Sequence, residues 1–282
     1  MKKSKSILTS RMKYEMLWIP IDKNLRGRGF RQNNNFAFAK DASVVELSLF
    51  ELKNSVGTMP IGFLVEKERV FLAGLLGLET NRNLFVDSAG NWLSRYVPAM
   101  FREYPFRLID VKVSGEMKKT IGVLEDAPTI VEEKDGIPFF DEEGKLSKSI
   151  LKIADFMNQK LISETLTRQA CKVIQDLGLL IPWDLAYIRS TKNGPKKQIL
   201  TGLSRVDEQK FKNLSDKDLL HLNKVHGAAI IFAHFFSGEM VYQLNKLFLA
   251  DEPGRATEQE LKELGDSIFA EEQLSDFELN FD

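Results

Sequence analysis

The chain has 282 residues, 43% hydrophobic and 10% aromatic, enough apolar material for one large domain or two modest ones. That composition excludes a wholly disordered chain. The net charge of −1 is unevenly spread: residues 1–31 carry nine Lys and Arg against two acids, and residues 251–282 carry eleven acids against two bases. The middle is close to neutral, so no field steers it toward nucleic acid, and the ends read as a basic arm and an acidic interaction tail. Cys171 is the only cysteine, which excludes an intramolecular disulfide and a zinc site built on several thiolates. Set among helix-forming residues, it reads as a small buried apolar side chain. Twenty Phe against five Tyr and three Trp point to aromatics that fill a core. The basic start never gathers the apolar block of a secretory signal, and Gly227–Phe236 falls short of the ~20 residues that span a bilayer. The expectation is a soluble cytoplasmic protein without a transmembrane segment; a signal-independent route to the cell surface is the alternative.

In chain order, Met16–Ile21 predicts a short apolar strand, Leu25–Asn35 a polar, glycine-bearing loop, and Phe36–Ala39 a second strand. Ser48–Val56 predicts one or two helical turns. Ile61–Val65 and Arg69–Leu76 predict a hairpin around a charged turn. Leu84–Asp87 predicts a strand, Asp87–Gly90 a turn with Asp first and Gly last, and Ala99–Glu103 a short helix behind Pro98. Phe106–Val113 and Lys118–Glu125 predict a second hairpin across Ser114–Gly115, and Glu132–Gly136 a charged loop. From the N-cap Ser147, apolar residues recur at helical intervals to Gly178. Pro182–Arg189 and Gln198–Ser204 predict a strand pair. Asp207 and Ser215 predict helix N-caps, with Asp218 in a capping-box place after Ser215. His226–Phe248 predicts an apolar helix interrupted at Gly238, and Thr257 starts a last exposed helix in the acidic tail. The fold class is α+β: a strand-rich N-terminal half with hairpins, then a helical half with a strand pair, sharing one core.

Phe85–Gly90 (FVDSAG) is echoed 54 positions on by Phe139–Gly144 (FFDEEG), read as two similar turns. Neither spaces its oxygens as a calcium loop does.

Chemistry is thinly marked. There is no Gly-x-Ser-x-Gly elbow, and Gly74 and Gly77 match neither a phosphate loop nor a dinucleotide fingerprint, so no cofactor is expected. His226 and His234 lie ~80° apart on a helix, a weak metal alternative to the reading of His234 as a core histidine. The best polar group is Asp87, Trp92, Tyr96, Arg102 and Tyr104. If Asn91–Arg95 is helical, Trp92 and Tyr96 stack on one face, with Arg102 over a ring or paired with Asp87. Such a group suits a polar-ligand or carbohydrate site, and equally a buried structural corner. Arg205 and Asp207, at a strand-to-helix junction, form a second such pair. In the tail, Phe277, Leu279 and Phe281 alternate with polar residues, which suits strand addition to a protein partner or folding onto the basic arm.

Five pieces of the chain resemble the bacterial SapC family, named for an association with surface-layer proteins. They are Phe36–Ala39 (FAFA), Asn83–Phe106 (NLFVDSAGNWLSRYVPAMFREYPF), Gly136–Ser147 (GIPFFDEEGKLS), Leu200–Leu214 (LTGLSRVDEQKFKNL) and Gly227–Phe236 (GAAIIFAHFF). They occur in order within residues 16–248, between the basic arm with its first strand and the tail at 251–282. The resemblance implies an accessory or binding protein linked to the surface layer or to handling of its components. It transfers no catalytic residue, and the His that relatives carry after the first strand is missing from Ile21–Gln32. An enzyme of unrecognised type, with a pocket near Trp92–Tyr104 for a small molecule, glycan or peptide, is the alternative.

Overall fold

The longest element, α3 (Lys148–Asp176), begins and ends where its sequence dictates. Ser147 caps it by accepting the Ile150 N–H, and Gly178 stops it at φ +63°, where Leu179 N–H turns back to the Ile174 carbonyl. In this computed structural model, which describes residues 17–67, 69–191 and 194–251, α3 links two hydrophobic clusters. Its first half gives Ile150 and Met157 to the smaller cluster, and its second half gives Ala170, Cys171 and Ile174 to the larger. The shared core expected from sequence is therefore two clusters threaded by one helix.

The first half of the chain supplies β1 (Trp18–Pro20), β2 (Arg28–Phe30), β3 (Val44–Glu46), α1 (Leu52–Ser55), β4 (Ile61–Glu66), β5 (Arg69–Leu75), α2 (Ala99–Arg102), β6 (Phe106–Val113), β7 (Glu116–Leu124), β8 (Ile130–Glu132) and β9 (Ile137–Pro138). After α3 come β10 (Leu180–Thr191), β11 (Gly194–Val206), α4 (Glu208–Lys212), α5 (Asp216–Lys224), α6 (Gly227–Phe236) and α7 (Met240–Asp251). Among the described residues the strands form three antiparallel sheets, in the orders β10-β11-β4-β5-β3, β1-β7-β6 and β8-β2-β9. No helix of the described residues is long and apolar enough to cross a membrane.

Both predicted hairpins form, with registers running Ile61↔Gly74 to Glu66↔Arg69 and Phe106↔Val123 to Val113↔Glu116. The five-stranded sheet carries the larger cluster, where Met59, Ile61, Phe63, Leu72 and Leu75 are fully buried. Each such side chain contributes roughly 1.5–3 kcal/mol of burial. The smaller cluster is built on Phe30, Phe106 and Phe139, with Phe30 edge-on to Phe106 at 4.9 Å and stacked with Phe139 at 6.0 Å.

The sheet closes unusually between β11 and β4, which share a single pair, Ser204↔Phe63. The end of α6 fills the gap. Ile61 N–H donates to Ser237 Oγ (2.9 Å), the Ile61 carbonyl lies 2.6 Å from His234 Nδ1, and Val206 N–H points at His234 Nε2 (3.3 Å). Two polar side chains thus complete a ladder that the strands leave open.

Five predicted elements are corrected. Phe36–Ala39 is not a strand but a 3-10 turn over Ala37–Ala39, with Asn35 Oδ1 accepting the Ala37 N–H. The Leu25–Asn35 loop contains β2, whose partners β8 and β9 lie a hundred residues away. The Leu84–Asp87 strand shrinks to one bridge, Val86↔Trp92. Asn91–Arg95 is extended and bent, because Asp87 takes the Asn91 N–H and closes a local turn. The Glu132–Gly136 loop is a 3-10 turn between two short strands. The Thr257 helix and Phe277, Leu279 and Phe281 lie outside the described residues.

The two similar turns share the same backbone bonds and the same carboxylate closure. Gly90 N–H donates to Asp87 O and Gly144 N–H to Asp141 O, while Leu93 N–H reaches Phe85 O and Ser147 N–H reaches Phe139 O. Each Asp carboxylate also takes the backbone N–H four residues on, from Asn91 and from Lys145. The same Asp-x-x-Gly chemistry, with Gly at positive φ, builds the same loop twice.

Candidate functional site

One of the five clustered candidates, Tyr96, bonds directly to a residue outside the group predicted from sequence, Glu51, while Trp92 and Arg102 bond to Tyr96. Its side chain is 1% exposed. One oxygen, Oε2, accepts from the Ser48 N–H (3.1 Å) and hydroxyl (2.9 Å); Oε1 accepts from the Tyr96 hydroxyl (3.0 Å) and the Ala99 N–H (2.8 Å). Four donors satisfy the buried carboxylate. It ties the turn at Ser48 to the start of α2. Ser48-x-x-Glu51 is a capping box, and that spacing is the sequence signal that marks the residue.

Trp92 and Tyr96 meet differently from the helical stack foreseen. Trp92 Nε1–H donates to the Tyr96 carbonyl (2.8 Å), and its ring stacks on Phe85 at 5.7 Å beside Phe36 and Phe101. Burial, followed by the Glu51 carboxylate, pushes the Tyr96 phenol well above its usual range. Arg102 does not pair with Asp87. Its Nη2 donates to the Tyr96 hydroxyl (3.2 Å), and its guanidinium sits between the Tyr96 ring at 5.3 Å and the Phe156 ring of α3 at 5.0 Å. Arg102 itself remains exposed. Tyr104 stacks on Phe38 at 4.1 Å, and burial raises its phenol.

Asp87 stands apart, closing its own turn. Its carboxylate takes the Asn91 side-chain amide (2.9 Å) and the Asn91 and Ala89 N–H groups, and these bonds, Asn91 first, hold its pKa low. Arg205 and Asp207 belong to another junction. Asp207 caps α4 through the Lys210 N–H (3.0 Å) and donates its own N–H to Leu179 O, while Arg205 is exposed opposite Ile181. An open cleft of about 420 Å³ lies beside this junction, lined by Gln175, Leu180, Pro182, Leu203 and Ser204 among others.

Behind α2, Lys160 of α3 bridges Glu103 (3.2 Å) and Glu164 (2.9 Å), with all three side chains less than a fifth exposed. Burial opposes the Lys160 charge, but the two carboxylates outweigh it and hold its pKa above the ordinary value. Burial raises Glu103, and Lys160 offsets part of that. The 57-residue separation of this pair leaves no trace in sequence.

His234 is a core histidine. Both ring nitrogens face backbone partners, and Trp183 and Phe63 pack on the ring at 5.3 and 5.7 Å. His226 is not on the same helix face, because it caps α6 from a left-handed conformation. Among the described residues no three His, Cys, Asp or Glu gather as a metal would need. Cys171 is buried, and that burial lifts its thiol to about 12.

The chain belongs to the SapC family, whose pattern matches residues 23–244. No curated protein matches it, and no solved structure does. The matched span contains Glu51, Trp92, Tyr96, Arg102, Tyr104, Arg205, Asp207 and His234, takes in the last residues of the basic start from Lys23 on, and leaves out residues 1–22 and the acidic end.

Proposed function

We propose that this SapC-family chain is a non-catalytic accessory protein that binds a component of the bacterial surface layer before assembly, working in the cytoplasm. The observation that supports the reading is the state of Arg102. Glu51, Tyr96 and Trp92 spend their polar atoms on one another and on backbone, whereas the Arg102 guanidinium is pre-set between two rings and still reaches solvent. Phe50, 38% exposed and edge-on to Phe156 at 6.1 Å, extends the apolar surface beside it. A rigid Arg framed by aromatic and apolar surface is the composition of a binding hot spot. It offers planar donors to a carboxylate or sugar hydroxyl.

The test is titration of purified surface-layer subunits into the wild-type chain and into Arg102→Ala. The exposed cation–π contacts are worth about 0.5–1 kcal/mol each, so the variant should stay folded. Wild-type binding that weakens at least about tenfold in the variant, with the melting temperature within a few degrees, is the expected result. Equal binding by both proteins removes Arg102 from the site, and no binding by the wild type removes the surface-layer reading.

A further inference from the structure

The hairpin β6–β7 ends the sheet β1-β7-β6 with one edge bare: among the described residues no strand pairs with the outer side of β6. The direction of its backbone groups follows from the ladder. Leu124 N–H donates to the Pro105 carbonyl, so Pro105 faces β7, and by alternation residues 107, 109, 111 and 113 do too. The N–H and C=O groups of Leu108, Asp110 and Lys112 therefore point outward. Such an edge is a template for another strand. On the sheet face away from Phe106 and Leu108, β6 presents Ile109 and Val111, both half-buried, and Val113, 44% exposed, beside the exposed Arg107.

We infer that the occupant of this edge is β6 of a second copy of the chain, paired antiparallel about a two-fold axis through Val111. The charges select the copy and the register. In that register Asp110 lies opposite Lys112 of the second copy, and Lys112 opposite its Asp110. Ile109 meets Val113, and Val111 meets itself. Asp110 and Lys112 are both exposed, and Asp110 already holds Lys119 at 2.9 Å on the same face. Sliding one residue along each strand in either direction sets Asp110 against Asp110 or Lys112 against Lys112. Like charges directly opposite in a ladder are unfavourable, so the neighbouring registers are penalised.

The pairing is isologous and closes after two copies, giving one continuous six-stranded sheet. Asp110 and Lys112 form the two pairs that exchange N–H···O bonds. Val111 sits at the central close pair, where side chains approach most nearly. With only about five residues a side, the interface is at the small end of those known, so dissociation constants of about 10 μM to 1 mM are expected. This assembly goes beyond the binding role proposed above and does not use Arg102.

Sedimentation equilibrium on the full chain, up to about 1 mM, tests it with a charge-swap series. The wild type should form dimers. Asp110→Lys and Lys112→Asp should each weaken them roughly 10- to 30-fold, since two attractions become two repulsions. The double variant Asp110→Lys/Lys112→Asp restores both opposite pairs and should return the constant to within about threefold of wild type. Both positions are exposed, and matching circular dichroism spectra establish that all four proteins fold. A wild type that stays monomeric at 1 mM overturns the inference, as does a double variant that fails to regain association. Self-association lost on deleting residues 271–282 but insensitive to Asp110→Lys overturns it in favour of the tail.

Discussion

Acidification should loosen the joint between β4 and β11 through His234. The neutral ring donates from Nδ1 to Ile61 O and accepts the Val206 N–H at Nε2, so a second proton would set donor against donor in a site that is 7% exposed. Burial, with Arg205 adding to it and the Ile61 bond opposing, lowers the histidine from 6.5 to about 4. Because the folded value lies below the unfolded one, the contribution is fully present above pH 6.5. It drains away as pH falls toward 4, where the folded ring also protonates. At ~1.4 kcal/mol per pKa unit the whole contribution is about 3 kcal/mol, and most of it is lost between pH 7.5 and 4.5. Urea unfolding across that range measures it. His234→Gln, which cannot titrate, should be less stable than wild type at pH 7.5. That deficit should shrink by about 2–3 kcal/mol at pH 4.5, whatever the carboxylates do in both proteins. A deficit that stays constant to within about 0.5 kcal/mol would refute the assignment of His234 as a neutral staple.

Three further outcomes follow from the same geometry. Glu51→Gln keeps the shape but sets an amide donor against either Ser48 or Tyr96 and Ala99, and should cost about 2–4 kcal/mol in denaturant midpoint with an unchanged slope; a loss below about 0.5 kcal/mol would mean the carboxylate is not the tie described. Gly90→Ala and Gly115→Ala both put a side chain at positive φ, costing about 1 kcal/mol, but a Cβ at Gly90 lies 2.4 Å from Asn35 Oδ1 while one at Gly115 meets nothing within 4 Å. Gly90→Ala should therefore be the more destabilised in thermal melts, and equal losses would contradict the docking of Asn35 on that turn. Cys171, buried and with its thiol raised to about 12, should react with a thiol reagent only at the rate of unfolding; prompt labelling at pH 8 would contradict its place against the sheet.

The exposed Arg102 changes what the aromatic group around Trp92 means. Glu51, Tyr96 and Trp92 act as framework, joining the turn at Ser48 to α2, and α3 adds Phe156 as the far wall. Four of the side chains picked from sequence, Trp92, Tyr96, Arg102 and Tyr104, do lie in this aromatic region, but Asp87 serves its own loop. Asp207 caps α4, and Arg205 sits opposite Ile181 at the far junction.

The sequence alone determined what depends on near neighbours. The two first-half hairpins, the caps at Ser147, Asp207 and Ser215, the stop at Gly178, the break between α6 and α7 and the Asp-x-x-Gly turns each rest on contacts a few residues apart, and periodicity or turn chemistry reports them directly. Family membership was legible for a similar reason, since the quoted stretches are continuous. Tertiary structure decided the rest. The Glu51–Tyr96 bond spans 45 residues, the His234–Ile61 bond 173, and β2 finds both its partners a hundred residues on. Phe36–Ala39 has the composition of a strand, yet Asn35 and the turn at Gly90 wind it into a 3-10 turn. A buried carboxylate and a buried imidazole look like any other Glu and His in a sequence. Their roles exist only once distant backbone groups have been brought to within 3.3 Å of them and water has been excluded.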